Sequence, residues 1–275
     1  MNKLYGNDHI SGQMSGGSFD SVSNISLDDV KNYYKSYFSI NQASMQIVGD
    51  FNNDEVLNSL SDINAHWHTN ETIELPRFKS VNNVSSPQIY FIDFPDAKQS
   101  AIFIGKTTLS ATDDDFNKLN LVNNRPGSGS SARLTQILRI EKGYTYGAYS
   151  TISDSMYDGA FYAATQVRSN VTLESLEIIK DQRANYHETF SADELAVTKN
   201  LIIKGNSRSY ETLRQLMGIL TTIDEFGYAD NYLELNQNEL QTLTLSEAKQ
   251  VIKNNLNEQN MIYLVVGDAK TQLER

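Results

Sequence analysis

The chain has 275 residues, 39% of them hydrophobic, no cysteine and a formal net charge of −11. Its length suits one large domain, or one domain plus part of another, with a sizeable core. Without cysteine there are no disulfides and no thiolate zinc sites. The negative charge repels phosphate backbones and anionic lipid surfaces, and no apolar run approaches the ~20 residues of a spanning helix. Nucleic-acid binding and membrane insertion therefore fall outside the expected functions. The N-terminal run MNKLYGNDHISG has no apolar core of the kind a signal peptide carries. The compartment stays open: a soluble protein, cytoplasmic or periplasmic according to its parent.

In chain order, residues 25–50 (ISLDDVKNYYKSYFSINQASMQIVGD) predict a helix and then an apolar strand at Met45–Val48. Residues 243–268 (LTLSEAKQVIKNNLNEQNMIYLVVGD) repeat that pattern without a gap, at one offset that carries Leu27 to Leu245 and Gly49 to Gly267. A shared frame through the turn points to two copies of one domain. The expected organisation is the tail of a first, truncated copy at 1–64, a linker at 65–85 and a complete second copy at 86–275. If the copies are equal in length, roughly 150 residues of the first are missing. After a helix at Asn53–Leu60, residues 61–85 lack periodicity and read as a connection. The strand at Met45–Val48 would lack sheet neighbours, and an unpaired edge invites a second chain. A homodimer is one expectation.

The second copy opens with strands at Gln88–Phe94 and Ser100–Ile104, with a Pro95-Asp96 turn between them. A helix with an acidic first turn follows at Asp113–Asn124. Tyr144–Ile152 and Gly159–Arg168 form a hairpin. Helices are expected near 171–190, 192–205, 210–226, 229–241 and 245–256, and a last strand at Met261–Val266. Strands first, helices in the middle and one late strand make the fold class α+β, a mostly antiparallel sheet with helices packed on one face.

Between these elements runs GSGSSARLTQILRIEKGYTYGAYS, Gly127 to Ser150. Ser130 and Ser131 suit a helix N-cap. Leu134, Ile137 and Leu138 face a core, and Arg139, about 140° from Leu134 at an α-helical pitch, leaves it. Lys142 and Gly143 suit the helix end. Tyr144 and Tyr146 share one strand face and Tyr149 takes the other. A glycine-lined loop, an off-core arginine and several tyrosines suit a surface that holds a polar ligand backbone, although a plain helix–strand corner explains the same residues.

Other candidates reduce to structural readings. His66-Trp67-His68 has chelating spacing but no third ligand in register, and His187-Glu188 has no second histidine at i±4. A catalytic zinc normally takes three protein ligands, and neither His-Glu-x-x-His nor His-x-x-Glu-His occurs. Asp113-Asp114-Asp115 reads as an acidic first turn complementing the helix dipole. The Gly/Ser loop lacks the Lys-Ser/Thr ending of a phosphate loop. Arg139 and Tyr146 remain, two donors able to point at a carbonyl oxygen that gains negative charge.

At these residues the sequence resembles the pitrilysin/insulinase family of zinc metallopeptidases. The Gly/Ser loop, the Arg-Leu and Leu-Arg that follow it, and the Gly-x-x-Tyr entering a strand all stand in family order. The ends QIVGD and LVVGD resemble the strand closing each family domain. LYGNDHISG resembles the segment before the last helix of the metal-binding domain, with Ile10 where a proline is usual. Arg125-Pro126 stand where the family has an apolar residue and glycine.

The resemblance implies two homologous halves around a closed chamber. One half holds zinc, whose bound water attacks the peptide carbonyl, and the other reaches across with an Arg and a Tyr. Arg139 and Tyr146 match that pair, and Gly127, Ser128, Gly129 and Tyr144 fall in the run matching substrate-contacting residues. This chain would bind no metal itself; zinc belongs to the assembled parent enzyme. The expected partners are a polypeptide substrate and a zinc-binding homologous half, in cis or in trans. The competing expectation is a non-catalytic peptide-binding or assembly protein that keeps the peptidase fold.

Overall fold

A computed structural model describes residues 1–67 and 77–273. In chain order its elements are helices α1 (Asn2–Tyr5), α2 (Phe19–Ser23), α3 (Leu27–Tyr37), α4 (Asn53–Ser59) and α5 (Ser61–His66), then strands β1 (Gln88–Asp93) and β2 (Gln99–Thr108). Helix α6 (Phe116–Gly127), a π-helical stretch at Thr135–Glu141, and strands β3 (Thr145–Ile152) and β4 (Gly159–Arg168) follow. The remainder is α7 (Thr172–Ala184), α8 (Tyr186–Thr189), α9 (Ala192–Asn206), α10 (Leu213–Phe226), α11 (Tyr232–Thr242), α12 (Leu245–Asn255), β5 (Ile262–Gly267) and α13 (Ala269–Leu273).

The chain divides into two compact units: Met1–Gly12 with Lys79–Gly205 and Asn231–Arg275, and Gln13–Phe78 with Asn206–Asp230. The first unit is built on a five-stranded sheet of order β1-β5-β2-β4-β3. Every pairing is antiparallel except β1 with β5. This is the expected α+β class.

Strand alternation gives the sheet two unlike faces. Ile102, Ile104, Phe161, Ala163, Val167 and Val265 are buried; α6 packs on β3 and α7 on β2 and β4, with α12 against α6. The Arg183 guanidinium of α7 lies 4.0 Å from the Phe161 ring centre and donates to the Leu256 carbonyl at 3.0 Å. On the other face Phe103 and Tyr149 are still 43% and 48% exposed. Helices thus cover one face and leave much of the other open.

The repeat carries into local structure. Helices α3 and α12 occupy matching positions in the repeat frame and have 11 residues each. Both start with a capping box, Ser26 with Asp29 and Thr244 with Glu247, in which side chain and backbone satisfy each other's orphan groups. The strand expected at Met45–Val48 does not form. A strand needs a neighbour to pair its backbone groups, and the five strands all belong to the other unit; within its own unit the segment is tethered through side chains. Gln46 Nε2 donates to Asp224 at 2.9 Å, and the Ser44 hydroxyl bonds the same carboxylate.

The connection expected at 61–85 is partly built. Helix α5 occupies its start, and near its end Asn83 Oδ1 accepts from the Thr107 amide at 2.9 Å while its Nδ2 donates to the Thr107 carbonyl at 3.1 Å. His68, half of the His-x-His pair, lies outside the described residues. The N-terminal segment belongs to the sheet unit: the Tyr5 hydroxyl donates to the Asp158 carbonyl at 2.9 Å, and the Tyr5 ring stacks on His9.

Candidate functional site

The Gly127–Ser150 run begins inside a helix, not in a loop. Helix α6 starts at Phe116 and ends at Gly127, three residues later at each end than expected. The start shifts because Asp113 Oδ2 closes the preceding turn, accepting from the Ser110 amide at 2.6 Å. Asp115 flanks the helix and pairs with Lys118 at 2.8 Å. The end passes through Pro126, which has no N–H and would leave the carbonyl four residues back without its helical donor. That carbonyl, on Val122, accepts instead from the buried Tyr186 hydroxyl at 2.6 Å. Burial holds this phenol far above its ordinary value, in its neutral donating form.

Gly127 is buried where α6 meets β3. A Cβ there would run into the Ser150 amide nitrogen and hydroxyl and come within 2.7 Å of Ser150 Cβ. Ser128 and Gly129 follow on the surface. Gly129 has φ +78° with open space around its Cα, a left-handed backbone that glycine adopts at no steric cost.

Two arginines and one carboxylate hold this loop. Arg133 donates to Glu194 from Nε at 2.9 Å and Nη2 at 2.6 Å, and Arg125 Nε reaches Glu194 Oε1 at 3.0 Å. Arg125 Nη1 also donates to the Ser131 carbonyl at 2.6 Å, so the unusual Arg125 braces the loop. Burial raises the Glu194 pKa, but hydrogen bonds from Arg133, the Ser191 amide and Arg125 outweigh it and hold the carboxyl below its ordinary value. Glu194 had no sequence signal, since it stands 61 residues from Arg133.

The helical stretch after the loop is π-wound over Thr135–Glu141, and the expected hydroxyl caps from Ser130 and Ser131 are not made. Their carbonyls act instead, with Gln136 Nε2 donating to Ser130 O at 2.6 Å. The Thr135 hydroxyl donates to Ala148 O at 3.1 Å, which ties the π-helix to β3. Leu134 and Leu138 are buried and Arg139 is exposed, as expected, while Ile137 is only half-buried. The wider π-turn, closed by Lys142 N to Ile137 O at 3.0 Å, changes the angular spacing assumed for an α-helix. Gly143 then turns the chain at φ +61°.

Strand β3 does not keep Tyr144 and Tyr146 in one alternating register. It starts at Thr145 and carries a bulge between Thr145 and Ala148, where alternation is lost. Thr145 Oγ1 accepts from the Gly147 amide at 3.1 Å, and the Thr165 hydroxyl donates to the Gly147 carbonyl at 2.9 Å. The bulge projects Tyr146 so far that 90% of it is exposed. Neither Tyr146 nor Arg139 has a hydrogen-bond or ion-pair partner among the described residues. Tyr144 differs: its hydroxyl donates to Glu174 Oε2 at 2.6 Å while Lys142 pairs with Oε1 at 3.1 Å.

No group of three or more His, Asp or Glu side chains is placed to hold a metal ion among the described residues. His9 sits buried between the Tyr5 and Tyr157 rings, and the carboxylate paired with His187 among the described residues is that of Glu188, at 3.8 Å. These donors do not fit a zinc site, so no step through zinc is assigned to residues of this chain. No helix among the described residues is long and apolar enough to cross a membrane.

Residues 24–202 match the family model described as peptidase M16 inactive domain. The chain is 21% identical over 258 residues to a protein of Helicobacter pylori named "Non-peptidase homolog YmxG", and 27% identical over 193 residues to "Probable inactive metalloprotease YmfF" of Bacillus subtilis. These alignments cover 92% and 68% of this chain but only 58% and 43% of those proteins. The crystal structure of a peptidase M16 inactive domain from Pseudomonas fluorescens shares the fold, with TM-score 0.87 and 22% identity over 98% of this chain and 64% of that one. On the family match and the fold together, the chain belongs to the peptidase M16 inactive-domain family.

Proposed function

We propose that this chain is the non-metal half of an M16-type zinc peptidase, supplying substrate binding and transition-state stabilisation to a metal site held by a homologous half. The observation that carries this is the pair of exposed, uncommitted donors, Arg139 at the end of the π-helix and Tyr146 on the β3 bulge. Arg125, Arg133 and Tyr144 of the same run are held by Glu194 and Glu174. A guanidinium and a phenol left free on either side of one tight turn suit a carbonyl that gains negative charge in acyl transfer. Ser128 and Gly129 would lie against the substrate backbone, and Gly127, buried against Ser150, would set the angle at which they leave α6. Tyr144, held by Glu174, would line the path. In this reading 1–64 is the tail of a first homology domain, 65–85 a linker and 86–275 the second domain.

The partners are then a polypeptide and a zinc-binding homologous half, in cis or in trans. Mixing this chain with that half should give peptide hydrolysis that drops when Arg139→Ala or Tyr146→Phe is introduced. Equal turnover in both variants would remove the role. A second reading, a non-catalytic peptide-binding or assembly protein, is favoured by the relatives that carry the names non-peptidase and inactive metalloprotease. It predicts that no homologous half yields hydrolysis with this chain.

A further inference from the structure

The open face of the sheet holds a groove of about 820 Å³ beside the ends of β2 and β4. Phe94, Ala101 and Val266 form its apolar floor, Gln166 stands in its wall, and Lys98 and Arg168 flank it. Phe94 is 63% exposed. In a chain with 34 Asp and Glu against 23 Lys and Arg, this groove is lined by two cations and no carboxylate. Lys98 and Arg168 are both exposed, and neither has an ion-pair partner among the described residues. The Asp96 and Asp268 carboxylates stand beside the same two cations on the adjoining surface together with Lys270, outside the groove lining; Asp268 accepts from the Thr271 amide at 2.9 Å and the Asp96 amide at 3.1 Å.

We propose that this groove binds an extended polypeptide segment in which an acidic side chain neighbours apolar ones. The floor is the pleated face of a sheet, so it takes apolar side chains, and the flanking cations take a carboxylate. A polyphosphate or an anionic membrane is disfavoured because both carry dense charge that the rest of this surface repels. Arg168 directly follows Val167, which pairs with Thr145 at the start of β3. A segment in the groove would thus run towards the bulge that carries Tyr146. The inference rests on the reading that this chain binds polypeptide, and it names the substrate class.

The test is fluorescence anisotropy on the full chain with a dye-labelled, terminally blocked heptapeptide, VELFEVL. Its companions carry glutamine or lysine in place of both glutamates. The acidic peptide should bind best, and its affinity should fall with added salt. The glutamine peptide should bind about tenfold more weakly, and the Lys98→Gln/Arg168→Gln protein should lose a similar factor for the acidic peptide. Both positions are exposed, and an unchanged melting curve would show that the double variant folds. No binding, equal affinity for the double variant, or a preference for the lysine peptide would each overturn the groove assignment. Arg139→Ala and Tyr146→Phe judge the parent reading separately, by turnover. Loss of turnover there with no effect from Lys98→Gln/Arg168→Gln would keep the peptidase reading and discard the groove.

Discussion

Gly127→Ala tests whether packing, rather than loop freedom, dictates this glycine. The added methyl meets the backbone nitrogen of Ser150, and Ser150 Cβ at 2.7 Å. A backbone neighbour cannot swing aside as a long side chain can. Overpacking of this kind costs about 1–3 kcal/mol, and a clash with β3 itself belongs at the top of that range. Alanine recovers up to about 1 kcal/mol of helix propensity, which leaves a net loss of about 2 kcal/mol. In a domain of this size that lowers the melting temperature by about 4–8 °C. Gly129→Ala is the control. It meets no atom within 4 Å but must hold φ +78°, at about 1–2 kcal/mol. Thermal and urea melts of both variants decide the matter. A Gly127→Ala protein within about 0.5 kcal/mol of the parent would show that α6 and β3 are not packed this closely.

Three further outcomes follow from the same geometry. Tyr186→Phe leaves the Val122 carbonyl beside Pro126 without a donor and should cost about 1–2 kcal/mol in urea denaturation. Glu194→Gln strands Arg125 and Arg133 and should cost about 2 kcal/mol at pH 7. Because the folded Glu194 pKa is depressed, its contribution is complete above the ordinary value of 4.5 and is lost as pH falls through the folded value. The gap between parent and variant should therefore narrow below that pH, and a constant gap would count against the ion pair. Burial and the nearby Arg183 lower the Lys106 pKa below its ordinary 10.5, so the unfolded chain holds more protons as pH rises towards 10.5 and stability climbs there. Lys106→Met should flatten that rise, which pH-dependent melts would show.

The sheet and most helix positions were legible because period and composition agreed with the final packing. Strand β4 was read to the residue, and α12 to within one. What stayed hidden depends on distant partners. Helix α6 runs through Pro126 with the missing donor to Val122 supplied by Tyr186, 64 residues beyond Val122. The π-winding of Thr135–Glu141 and the β3 bulge rest on the Thr135 contact to Ala148 and the Thr165 contact to Gly147. Neither has a local sequence signature. Glu194 and Glu174 were missed for the same reason: each meets its partners only across a long stretch of chain. Met45–Val48 has the composition of a strand, but a ladder also needs a neighbour, and a single segment cannot reveal that.

The most direct measurement of the central claim is single-turnover peptide cleavage by this chain combined with its zinc-binding homologous half, comparing the parent with Arg139→Ala and Tyr146→Phe. If these side chains stabilise the developing oxyanion, each variant should lose about 10²–10³ in rate while keeping the same melting temperature and zinc content. Cleavage at the parental rate by both variants would contradict the account.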